Sequence, residues 1–142
     1  MPFVHVYYPK SQWEEKELRE VSEEIHKSLM IYFNIPTEDY FQLFSPYVLG
    51  QFYYHSNYLL EHKAKRTDRM ILVSITCAPG RTAEQKTGLY QAIADAFKEY
   101  LNIPIENIFI TLNETHRENW SFGQGKAQMI SIKEEKNNES SY

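Results

Sequence analysis

Tyr32-Phe33-Asn34-Ile35-Pro36-Thr37-Glu38-Asp39-Tyr40-Phe41 reappears 68 residues later as Tyr100-Leu101-Asn102-Ile103-Pro104-Ile105-Glu106-Asn107-Ile108-Phe109. Six of the ten positions are identical, where chance gives about one. In each copy the Asn suits the left-handed position that closes a helix, and the Pro two residues on forbids continuation. The chain is therefore two copies of one unit. The first copy opens on Met1-Pro2.

Working outward from the repeat gives the elements. Residues 3–8 (Phe-Val-His-Val-Tyr-Tyr) read as a strand rich in β-branched and aromatic side chains. Ser11-Gln12-Trp13-Glu14 has the spacing of a capping box. Leu18, Val21, Ile25, Leu29 and Tyr32 then recur at helical steps up to about Phe33. A second strand is expected near 40–44. The second copy repeats the order: a strand over 70–76, a capping box at Thr82-Ala83-Glu84-Gln85, an apolar helix face at Leu89, Ile93, Phe97 and Tyr100, and a strand over 107–112. Between the copies, the aromatic segment 46–58 predicts a short strand or hairpin, followed by a polar connection over 62–68. A glycine-containing loop, with room for a short hairpin, covers 113–128.

Two β-α-β units with right-handed crossovers predict an α+β fold: a four-stranded sheet with two helices on one face. The third strand is apolar on both sides, with Ile71, Val73 and Ile75 on one and Met70 and Leu72 on the other. The fourth is similar. Strands apolar on both faces need cover on both, and two helices cover one. Oligomerisation through the bare face is the expectation.

With 142 residues and 42% hydrophobic content, the chain forms one domain with a core. That domain spans 1–132, with pseudo-repeats at about 2–44 and 70–112 and a polar, flexible tail over 133–142. A net charge of -4 argues against a nucleic-acid or anionic-membrane partner. The single cysteine, Cys77, rules out a disulfide framework and a zinc knuckle. No apolar run approaches the ~18 residues of a membrane span, and no signal peptide is read at the N-terminus. A cytoplasmic location is the expectation.

Four places could carry chemistry. Removal of Met1 before a proline leaves Pro2 as a free secondary amine. Free α-amines titrate near ~8, and burial or a nearby cation lowers that value toward what a base at neutral pH requires. Arg81 precedes the helix cap Thr82. There a cation opposes the helix dipole unless an anion binds too, so guanidinium and helix N-terminus would converge on a carboxylate. Asp39 lies just past the first helix, where parallel pairing of neighbouring strands would bring it to Pro2. Trp120-Ser121-Phe122-Gly123 is a compact aromatic loop, suited to packing or to drying an amine. The five histidines show no metal-ligand spacing.

Taken together these residues resemble the tautomerase superfamily, in particular its longer members related to malonate semialdehyde decarboxylase. The resemblance covers roughly residues 2–130. It rests on Met1-Pro2, Asn34-Ile35-Pro36-x-x-Asp39, Lys65-Arg66-Thr67-Asp68, Gly80-Arg81 and Asn119-Trp120-Ser121-Phe122-Gly123-Gln124-Gly125-Lys126-Ala127-Gln128. It implies a mixed sheet and a homotrimer, with Pro2 in a pocket at a subunit boundary. It implies that Pro2, Arg81 and Asp39 are catalytic, that Arg66, Trp120 and Phe122 contact substrate, and that no cofactor or metal is used. The sequence departs from the family at one place: the first of two arginines falls on Ala78, and Gly80 is inserted.

A tautomerase of 2-oxo or enol carboxylates, needing one carboxylate anchor and one base, follows from this reading. A decarboxylase or hydrolytic dehalogenase with protonated Pro2 as acid is the alternative on the same fold. A ferredoxin-like oligomeric binding module, built from the same element order without catalysis, is the alternative of another class.

Overall fold

A computed structural model describes residues 1–130 of the chain, so the expected tail over 133–142 lies outside the described residues. The order is β1 (Phe3–Pro9), α1 (Glu15–Phe33), β2 (Gln42–Tyr47), β3 (Ile71–Cys77), α2 (Ala83–Leu101), a 3₁₀ turn (Ile105–Asn107), β4 (Ile108–Glu114) and a second 3₁₀ turn (Arg117–Asn119). The sheet runs β2-β1-β3-β4. β1 pairs parallel with β2, β3 parallel with β4, and the copies join antiparallel through β1 and β3. Each unit's two strands therefore pair directly. A ferredoxin-like sheet splits its βαβ units, so the binding-module alternative does not have this topology.

Both helix ends fall where the repeat places them. Asn34 and Asn102 both adopt left-handed backbone, at φ 54° each, and close α1 and α2. At the start of α2 the expected capping box forms: the Gln85 N–H donates to Thr82 Oγ1 at 3.1 Å, and the Thr82 N–H donates to Gln85 Oε1 at 2.8 Å. The first helix differs. Ser11 does not cap it, because Ser11 has φ 68° and an N-cap needs extended backbone. The helix begins instead at Glu15, with Glu14 as cap and its N–H donating to Glu17 Oε1 at 3.2 Å.

The core lies between the helices and one sheet face. Val4 and Val6 of β1 and Ile71, Val73, Ile75 and Cys77 of β3 pack on Val21, Ile25, Leu29, Leu89, Ile93 and Phe97. The helices pack closely at one glycine: a Cβ on Gly88 would lie 2.5 Å from Cε1 of Tyr32.

The helices leave the other sheet face open, as the strand pattern predicts for a single chain. β3 alternates buried and half-buried residues, and on this face Leu43 and Phe109 are 50% and 48% exposed. Beyond Tyr47, where β2 ends, the aromatic segment forms no strand or hairpin. Side chains bind backbone instead: the Tyr54 hydroxyl donates to the Thr67 carbonyl and the Tyr47 hydroxyl to the Met70 carbonyl, both at 2.6 Å. After Tyr47, Gly50 and the positive φ angles at Leu59, His62 and Lys63 break any ladder that aromatic propensity would favour. Likewise the stretch 113–128 is a loop with a 3₁₀ turn, without a hairpin. Among the described residues, no helix is long and apolar enough to cross a membrane.

Candidate active site

Asp39 is positioned by the end of α1. After Asn34 turns the chain, Ile35 is buried and anchors it, and the Asp39 N–H donates to the Pro36 carbonyl at 3.1 Å. His26 braces the turn from inside the helix. Its Nε2 lies 2.8 Å from the Thr37 carbonyl. A carbonyl only accepts, so Nε2 carries the proton. His26 also packs its ring 4.2 Å from that of Tyr40. Parallel pairing of β1 with β2 then brings Asp39 beside the N-terminus.

The α-amine of Met1 donates to Asp39 Oδ2, and both groups are largely buried. Pro2 is buried directly behind it. Burial is the largest influence on this amine and pushes its pKa below 8.0; Asp39 pulls in the opposite direction, and Arg81 adds a smaller downward push. The net direction is downward, toward a neutral amine. The second oxygen of Asp39, Oδ1, is buried without a partner among the described residues.

Arg81 stands where two helix ends meet. At the N-terminus of α2 a cation is unfavourable, but at the C-terminus of α1 it is welcome. The guanidinium donates to the Phe33 carbonyl, one of those α1 leaves unpaired, and to the Ala78 carbonyl, each at 3.2 Å. It also lies over the Phe33 ring, 4.9 Å from the centroid. Gln85 holds the same helix end by donating to the Tyr32 carbonyl at 3.0 Å. Arg81 is thus a charge fixed on several sides, with N–H groups to spare.

Met1, Asn34, Pro79, Arg81, Gln85 and Arg117 line one open cavity of ≈ 330 Å³. Of the residues singled out from sequence, the fold brings Asp39, Arg81 and the N-terminal segment together. Trp120 and Phe122 stack at 5.6 Å, and Phe122 packs on Phe41, two residues past Asp39, at 5.4 Å. Gln128 braces that loop, accepting from the Phe122 N–H at 2.9 Å and donating to the Gly123 carbonyl at 2.8 Å. Arg66 is not in the cavity. It lines a separate aromatic pocket with Phe52, Tyr58 and Phe109, and its guanidinium is spent on the His55 and Tyr58 carbonyls at 2.9 and 2.7 Å. Sequence reasoning missed Arg117 and His26. His26 carried a local signal, since it lies one residue after Ile25 on the buried face of α1. Arg117 carried none.

Three likenesses bear on this site. Residues 39–123 match the family described as "Tautomerase enzyme". The chain is 39% identical over 130 residues to the probable tautomerase YusQ of Bacillus subtilis (strain 168), covering 92% of this chain and 99% of that protein. Among solved structures, FG41 malonate semialdehyde decarboxylase inhibited by 3-bromopropiolate superposes with a TM-score of 0.81 at 21% identity, covering 92% of this chain and 96% of that one. A fused 4-OT wild type symmetric trimer superposes at 0.73 with 16% identity, covering 91% and 98%. The structural likenesses establish a common fold, and the sequence matches establish descent: the chain belongs to the tautomerase family.

Proposed function

We propose that this protein is a cofactor-independent, cytoplasmic keto-enol tautomerase of 2-oxo and enol carboxylates, working as a homotrimer with Pro2 as its base. The observation that carries this reading is the buried N-terminal amine set against Asp39, in a cavity that also holds Arg81. Once Met1 is removed, the Pro2 nitrogen becomes the amine of this segment. Its surroundings favour the neutral form for the reasons that act on Met1. Arg81 then holds the carboxylate. Pro2 takes the proton as the enol O–H bond breaks, C2–O becomes a carbonyl, and the proton passes to C3. Asp39 keeps the amine oriented, and Trp120 and Phe122 limit water at its edge.

The trimer is supported by the exposed apolar side chains of the open sheet face and by the trimeric assembly of the fused 4-OT protein. Light scattering at micromolar concentration should give about three times 16.9 kDa; a monomer would contradict it.

Phenylenolpyruvate ketonisation by the processed protein, compared with a form carrying an extra N-terminal residue, tests the base. The extra residue turns the nitrogen into an amide without a basic lone pair, so the rate should fall ~10²–10⁴-fold. Equal rates would dismiss Pro2.

One observation favours a second reading. Arg117 in the cavity restores a second cation where Ala78 lacks one. This keeps open decarboxylation or hydrolytic dehalogenation, with protonated Pro2 as acid.

A further inference from the structure

We infer that Arg117, which lines the cavity together with Arg81, is the second substrate-binding guanidinium of this site and grips the same carboxylate. The inference deepens the reading above and rests on it for the substrate class. Its basis is how the turn carrying Arg117 is held. The parallel pairing of β3 with β4 runs to Cys77 opposite Glu114, and one further bond, Thr115 N–H to the Cys77 carbonyl at 2.9 Å, fixes the chain just before the turn. Asn119 ties the turn back by donating to Thr115 Oγ1 at 2.6 Å. Arg117 is thereby mounted beside the Ala78–Arg81 connection, and both arginines line the cavity.

The two guanidinium groups differ in what they have left to give. Arg81 is committed to two carbonyls and an aromatic ring. Arg117 is exposed, and its side chain makes no hydrogen bond or salt bridge among the described residues. Its planar fork is available for bidentate binding of a carboxylate. Charge points the same way. The nearby acid Glu114 is engaged by Lys86 at 2.9 Å. The two arginines are the charged side chains lining the cavity, with Asp39 behind the N-terminal amine, and a substrate carboxylate would balance the excess of positive charge. Arg81, already fixed by its carbonyl and ring contacts, holds the carboxylate in place while the proton moves. Arg117, drawn in from solvent, contributes to binding in ground and transition states alike, so its loss belongs in KM.

The test measures KM and kcat for phenylenolpyruvate and for its methyl ester with the processed wild-type protein, Arg117→Ala and Arg117→Lys. Arg117→Ala should raise KM for the acid roughly tenfold, with kcat nearly unchanged, and Arg117→Lys should recover part of the loss. KM for the ester should be the same in all three proteins. Calorimetric binding of trans-cinnamate, an unreactive aryl carboxylate, should weaken by a similar factor in Arg117→Ala. Unchanged KM and cinnamate affinity would overturn the inference. So would an equal loss for acid and ester, which marks a packing role, and so would a wild-type protein that fails to bind cinnamate. A wild-type protein that binds cinnamate through Arg117 but turns over no enol acid would sink the tautomerase reading and uphold this one.

Discussion

Asp39 and Asn107 occupy the same place in the two copies, and they do different work. In both, a backbone N–H shortly before the parallel strand, three residues ahead of β2 at Asp39 and one ahead of β4 at Asn107, closes on a proline carbonyl, Pro36 at 3.1 Å and Pro104 at 2.9 Å. In the second copy Asn107 is fully buried and sews down the chain that enters β3. It donates to Thr67 Oγ1 at 2.6 Å and to the Arg69 carbonyl at 3.1 Å, and accepts from the Thr67 N–H at 3.1 Å. In the first copy the same position faces an amine, and a carboxylate stands there in place of an amide. One turn thus holds structure in one copy and, on the reading proposed here, chemistry in the other. A neutral amide suits a site with both donors and acceptors to satisfy; a carboxylate suits one with only a cationic donor.

Breaking the comparison on the functional side should have the largest effect. Asp39→Asn in the processed protein keeps the shape and removes the charge. kcat/KM for phenylenolpyruvate should fall about 10²-fold, while thermal unfolding stays within a few degrees. The pH profile sharpens the result. Burial lowers the pKa of the Met1 amine; on the reading proposed here the same surroundings act on Pro2, so kcat/KM should rise with pH through an apparent pKa below the free-amine value. Removing Asp39 takes away an influence that raises this pKa, so the midpoint should move lower still. A midpoint that moves up, or an unchanged rate, would take Asp39 out of the site.

The reciprocal change should act on stability instead. Asn107→Asp puts a carboxylate against the Arg69 carbonyl and the Thr67 hydroxyl in a fully buried position, with the amide donor gone. An unpaired buried charge of this kind costs about 3 kcal/mol, read as a lower denaturant midpoint. Activity per folded molecule should be retained, because the cavity is built at the other copy's turn. A variant as stable as wild type would mean that the bonds of Asn107 do not hold the entrance to β3.

These two turns also show what the sequence makes legible. Asn-Ile-Pro encodes a helix end within three residues, and the Thr82–Gln85 box encodes a helix start within four. Local signals of this length survive folding, so the repeat, the helices and the position of Asp39 were all readable. Ser11 had the right neighbours for a cap, but the turn leaving β1 needed left-handed backbone there. Arg66 and Arg117 show the harder limit. Arg66 precedes β3, yet neighbouring carbonyls capture its guanidinium beneath the aromatic segment. Arg117 reaches the cavity only because of how far the β3–β4 pairing extends. That is a property of strand register, and no local pattern around residue 117 announces it.

The two helices share little sequence, and one position where they differ bears on how closely they pack. Gly88 of α2 corresponds to Glu20 of α1, and the ring of Tyr32 lies against it. Gly88→Ala gains up to ~1 kcal/mol of helix propensity. It also drives a methyl group into ring carbons at 2.5 and 2.7 Å, and overpacking costs about 1–3 kcal/mol. The expected balance is a loss of about 1 kcal/mol in chemical denaturation. A stabilised variant would show that the Tyr32 ring swings away freely and that close helix packing here is not required.

The smallest expected effect lies at the far ends of the parallel strands. At position 115 of the second copy the backbone N–H closes on Cys77; at the matching Tyr47 of the first, the phenol closes on the Met70 carbonyl at 2.6 Å. Tyr47→Phe removes one hydrogen bond to a carbonyl and should cost about 1 kcal/mol, a Tm shift of about 3 °C. The phenol's pKa is pushed up to about 12, mainly by burial. The unfolded chain ionises this tyrosine near pH 10, whereas the folded protein resists until about pH 12. Folding stability from this group is therefore intact below pH 10 and lost progressively between the two values. Ultraviolet titration of wild type and Tyr47→Phe should differ by one late-ionising tyrosine, and the stability gap between them should narrow as pH rises through that window. If the two titrations superimpose across it, the Tyr47 phenol is open to water and the link between β2 and the start of β3 does not form.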